Sequence, residues 1–131
     1  MNSNKILLLI LTIILSSIIV QAGDFTFTNG KGINSVCPRA TALFTDNIVN
    51  GGEEQQFTAN VEGSAAVWST AVPSGFNLLP GMPKTVYTYI TPFEDAKPGN
   101  YDISVVITTP TDVKKITHSV VLRECYDALL T

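Results

Sequence analysis

His118 is the only histidine in the chain and Cys37 and Cys125 are its only cysteines, so these three side chains carry most of the chemistry the composition permits. An imidazole ordinarily changes charge near neutral pH, which makes His118 a candidate pH switch or metal ligand. Its setting favours a plainer role. His118 shares strand parity with Ile116, Val120 and Leu122, the pattern of a partly covered histidine satisfied by backbone or a hydroxyl. Serines and acidic residues are present, but there is no Gly-x-Ser-x-Gly elbow, and a single histidine gives no nucleophile a named base. Two thiolates and one imidazole do not complete a tetrahedral zinc shell. Glu53, Glu54, Glu94, Asp95 and Asp112 fall at loop ends without the alternating Asp and Asn and central Gly of a calcium loop. The sequence predicts no catalytic residue, no cofactor and no metal site.

The cysteines are read through the N-terminus. After Lys5, residues 6–20 run through Leu, Ile and Val, broken only by Thr12, Ser16 and Ser17, and Val20-Gln21-Ala22 offers a small-residue cleavage site. This pattern predicts a signal peptide over residues 1–22, as a helix, with the mature domain over 23–131. The alternative is an uncleaved anchor, for which the apolar run is short against the about 20 residues a bilayer needs. Outside the cytoplasm an isolated cysteine pair is a disulfide far more often than a metal or redox site, and Cys-x-x-Cys spacing is absent. Closing a loop of about 90 residues would stabilise the fold by about 4–5 kcal/mol in the chain-entropy account. The bond is expected to staple the first strand to the last.

A chain of 131 residues with Lys+Arg 8 against Asp+Glu 11 and net charge -3 is a single domain without the basic surplus that nucleic acid demands. Within it, strand signals recur between turn residues. Residues 56–62 alternate, with Phe57, Ala59 and Val61 on one face, after the Asn50-Gly51-Gly52 turn. Residues 65–72 carry Trp68 and stop at Pro73-Ser74-Gly75, and residues 84–91 are rich in β-branched residues and tyrosine. Tyr101, Ile103, Val105 and Ile107 share one face after Pro98-Gly99-Asn100, and a last strand runs over 113–125. About seven short strands at this spacing predict an all-β, immunoglobulin-like two-sheet sandwich.

The ordered series Asn50-Gly51-Gly52, Phe57, Val61, Trp68-Ser69, Pro73, Phe76, Leu78 with Pro80-Gly81, Val86, Ile90-Thr91-Pro92 and Pro98-Gly99-Asn100-Tyr101, closing on Cys125-Tyr126-Asp127, resembles the Ig-like modules strung along archaeal and bacterial cell-surface proteins, of the CARDB-like and NPCBM-associated type. The likeness spans about Val36 to Asp127 and rests on order and spacing, since each motif alone is ordinary turn chemistry. It implies a spacer, adhesion or assembly module without catalysis.

Two aromatic residues are expected to be structural. Tyr101, at a strand start two residues after Gly99, fits a tyrosine corner, and Trp68 is expected between the sheets in mid-strand. Two pairs point to an interaction surface. If Val86, Thr88 and Ile90 face the core, Tyr87 and Tyr89 stand exposed side by side; Phe25 and Phe27 alternate near the N-terminus and either complete their own sheet or are offered to a neighbour's edge. The expected function is a secreted or cell-surface binding and structural module. Its partner would be a surface protein, a glycan or another copy, with membrane contact only through an uncleaved anchor. A small secreted enzyme or enzyme inhibitor with an unrecognised loop site is the rival reading.

Overall fold

A computed structural model describes residues 24–125; the predicted signal segment and Tyr126-Asp127 lie outside the described residues. Alternating inward and outward side chains produce two packed sheets. The strands are β1 (Phe25–Gly32), β2 (Ser35–Val36), β3 (Ala42–Asn50), β4 (Gln55–Glu62), β5 (Ser69–Val72), β6 (Gly75–Leu78), β7 (Pro83–Ile90), β8 (Gly99–Thr108) and β9 (Val113–Leu122). The first sheet has the order β1-β3-β7-β5 and the second β2-β9-β8-β4-β6. Every pairing is antiparallel except the short parallel one between β2 and β9. The protein is an all-β, Ig-like sandwich, with nine strands among the described residues where about seven were expected.

The surplus comes from short strands at the corners. Residues 65–72, expected as one strand, divide into a 3-10 turn at Ala66–Trp68 and β5. Gly63 adopts φ 106°, where a Cβ would press on the Asp102 carbonyl, so only glycine suits the bend. Ala65 N–H then donates to Asp102 O at 2.9 Å and the Ser69 hydroxyl to Ala65 O at 2.6 Å. These bonds turn the chain out of β4 in the second sheet and into β5 in the first. Trp68 therefore sits in the corner and not in mid-strand. It is half-buried, with its ring 4.6 Å from that of Tyr101 and 6.4 Å from that of Phe93.

Between the sheets the apolar side chains form two clusters. One gathers Phe25, Ile48, Phe57, Val86, Val105 and Ile107, and the other Val36, Phe44, Ile90, Ile103, Val120 and Leu122, with Val61 touching both. The boundary between them follows the strands. Asp46 lies between Phe44 and Ile48 on β3, Thr88 between Val86 and Ile90 on β7, and His118 before Val120 on β9. A polar layer thus divides the core, and each member must find a partner or remain unpaired at a cost.

Cys37 and Cys125 are bonded, with Cα atoms 5.7 Å apart. They follow β2 and β9, so the bond locks the parallel β2–β9 pair and leaves β1, the first strand, outside its reach.

Candidate functional site

The outward positions of the first sheet form a face of unusual composition. In register across it, Leu43, Tyr89 and Thr70 make one row and Thr45, Tyr87 and Val72 the next. Asn47 with Thr85 and Thr28, and Val49 with Pro83 and Thr26, continue it toward the other end. Tyr87 is 41% and Tyr89 39% exposed, with Val72 at 47%. None of these outward residues carries a charge. Lys31 stands at the β1 edge, where it lines a shallow, largely apolar hollow with Ile33, Leu43 and Thr45. The outward face of the second sheet differs, with Glu62 on β4, Asp102 on β8 and Lys115 on β9 all exposed.

The tyrosines reach this face because β7 is the penultimate strand of its sheet and alternates strictly: Val86, Thr88 and Ile90 are fully buried beneath them. Tyrosine rings on a flat sheet offer area with few rotatable bonds, and their hydroxyls tolerate either solvent or an interface.

Phe25 and Phe27 do not join this surface. Phe25 is 1% exposed and packs edge-on against Phe57, 5.3 Å between ring centroids, while half-buried Phe27 packs on the same cluster. β1 pairs with β3 over Phe25–Asn29. The amine of Lys114 holds the Phe25 carbonyl and lies 5.0 Å above its ring. Of the two alternatives for this segment, completion of its own sheet is the one the structure shows, and the pair drops out as an interaction surface: an open flank beside β3 is available at home, and two phenylalanines gain more from the core than from solvent.

His118 has a partner of a kind not expected. Its Nε2 lies 2.9 Å from Asp46 Oδ2 and 3.1 Å from Oδ1. Its ring stacks on Phe44 at 4.2 Å and 17°. Asp46 is fully buried and also accepts from Gly30 N–H at 3.4 Å. The ring's other nitrogen has no hydrogen-bond partner among the described residues, and His118 borders an open cleft of about 380 Å³ with Asn29, Gly30, Asn34 and Ser119. The contact joins β3 of the first sheet to β9 of the second.

Tyr101 is partly buried against the second apolar cluster. Its hydroxyl donates to Lys97 O at 2.5 Å, four residues upstream, in a tyrosine corner. Asn50, read in the sequence only as a turn residue, is fully buried. Its amide donates to Glu53 O at 2.8 Å and Leu78 O at 2.9 Å and accepts from Gly52 N–H and the Gln55 amide, each at 3.1 Å.

No family model and no curated protein matches the chain. Solved structures do. A family 123 glycoside hydrolase from Clostridium perfringens aligns with TM-score 0.64 at 8% identity over 78% of this chain, which spans only 28% of the hydrolase. A FixG-related protein from Vibrio parahaemolyticus aligns at 0.58 and 9% identity, covering 80% of this chain and all of that one. The CARDB domain of a Pyrococcus furiosus protein aligns at 0.52 and 17%, covering 79% of this chain and 90% of that domain. The likeness is one of fold. It places the chain among Ig-like sandwiches that include a CARDB domain, and at these identities it transfers no activity.

Proposed function

We propose that the chain is an extracellular or cell-surface Ig-like module, structural and binding in role and without catalytic activity, that engages a partner through the outer face of its first sheet. The observation that carries this reading is the exposure of Tyr87 and Tyr89 side by side on a face whose outward residues on β3, β5 and β7 bear no charge. Interface centres are enriched in tyrosine and depleted in charge, whereas ordinary solvent faces mix both signs, as the second sheet does. The signal-like N-terminus and the Cys37–Cys125 bond support an oxidising destination. The Ig-like neighbours support a module that presents a surface.

The test follows the labelled mature domain on intact producing cells. Tyr87→Ser with Tyr89→Ser is expected to keep the fold and lose at least about tenfold in retention, because aromatic anchors dominate interface energies. Retention equal to the parent would overturn the assignment of this face. Mature chains in the medium or wall fraction are expected to begin at Gly23; a purely cytoplasmic, thiol-reactive protein would overturn the location.

A further inference from the structure

The outward rows of β3, β5 and β7 carry no charge. Taking the face as a binding surface, as above, we infer that its occupant is the same face of a second copy, packed about a two-fold axis. The argument is electrostatic. The chain carries net charge -3, so two copies repel in most orientations, and the outer face of the second sheet exposes Glu62 and Asp102 with Lys115, two acidic residues to one basic. Across a two-fold axis a surface meets itself, and any charge near the axis meets its like. The face centred on the Thr45–Tyr87 pair has less of this, because its rows on β3, β5 and β7 contain no charge and its bordering cation, Lys31, stands at the β1 edge beside Thr45. A partner of different composition places no such demand and ordinarily uses charge for steering and discrimination. Threonine and asparagine hydroxyls and amides donate and accept alike, so they too are complementary to themselves.

The area sets the strength. The eight, nine and eight residues of β1, β3 and β7 and the four of β5, at about 3.4 Å each on strands about 4.8 Å apart, offer about 470 Å² a side, or about 950 Å² for the pair, in the range of transient interfaces. The dimer is therefore a reversible one that fills at high local concentration, as on a crowded surface, with the twist of each sheet setting the crossing angle.

Sedimentation equilibrium of the mature protein, from low micromolar to about 1 mM, is the experiment, since an interface at the low end of the size range associates weakly. The expected result is a monomer–dimer equilibrium whose dissociation constant rises at least about tenfold with Tyr87→Ser and Tyr89→Ser. A charge swap separates self-pairing from any other use of the face: Thr45→Glu and Thr45→Lys, each shown folded by circular dichroism, are each expected to dimerise more weakly than the parent. An equimolar mixture of the two is expected to recover association as a mixed dimer. A parent that stays monomeric throughout, a dimer indifferent to the tyrosine substitutions, or a mixture no better than its components overturns the inference. If the parent is monomeric yet retention on cells still depends on Tyr87 and Tyr89, the face serves another protein or a surface glycan, so self-pairing falls while the functional reading stands.

Discussion

Asp46 and His118 meet across the sandwich, a fully buried carboxylate on the first sheet and a ring 9% exposed on the second, joined at 2.9 Å. The pair ties β3 to β9 at the level where the apolar core is interrupted. Removing one partner of a buried hydrogen-bonded pair costs more than the pair is worth, because the other is left buried without its partner. His118→Ala is expected to lower unfolding free energy by about 3–5 kcal/mol, while the joint replacement Asp46→Leu with His118→Leu costs far less. Urea denaturation of the three proteins checks this. Equal losses for the single and joint variants would show that the tie contributes through packing alone.

Thr88 is the third polar residue of that layer, and its Oγ1 is buried without a hydrogen-bond partner. Valine has the same shape without the hydroxyl. Thr88→Val is therefore expected to raise stability by about 1 kcal/mol, through relief of an unsatisfied buried group. A lower denaturation midpoint would show that the hydroxyl has a partner after all.

β4 and β8 are the plainest strands in the sequence because their inward faces are wholly apolar. β4 shows Phe57, Ala59 and Val61 at alternate positions, and β8 shows Ile103, Val105 and Ile107. β3, which links β1 to β7, buries Ala42, Phe44, Asp46, Ile48 and Asn50; with a carboxylate and an amide on its inward side, it carries no clean alternation. Asp46 was invisible as a site residue for the same reason: its partner is 72 residues away and on the other sheet. The tyrosine face was readable because it needed only the parity of one strand. The lack of charge on its β3, β5 and β7 rows emerges only once these strands are laid side by side.

The Cys37–Cys125 bond closes a sequence separation of 88 residues. Cys37→Ala with Cys125→Ala is expected to lower stability by up to about 4–5 kcal/mol, chiefly by freeing the unfolded chain. Mass analysis of the untreated protein is expected to show no alkylatable thiol, and quantitative alkylation without reductant would mean the bond does not form.

Asn50 offers the sharpest test of the architecture, because its amide joins two turns that are distant in sequence. Its nitrogen holds Glu53 O in the β3–β4 turn and Leu78 O at the end of β6, while its own backbone pairs with Gly81 and Met82 before β7. Asn50→Asp preserves the shape and the accepting oxygen, yet at neutral pH it sets a carboxylate against two carbonyls with no donor between them. A loss of about 2–4 kcal/mol is expected, from one unsatisfied buried group and one buried charge. The sign of its pH dependence follows. The folded state disfavours ionisation of the introduced group, so the penalty is fully present well above the ordinary carboxyl range and shrinks as pH falls through it, because the neutral acid again donates to one carbonyl. Parent and variant compared by denaturation at neutral pH and near pH 4, about the ordinary carboxyl value, are therefore expected to converge on acidification. A deficit that stays constant between the two would mean that the residue's bonds to Glu53 and Leu78 do not hold the turns together.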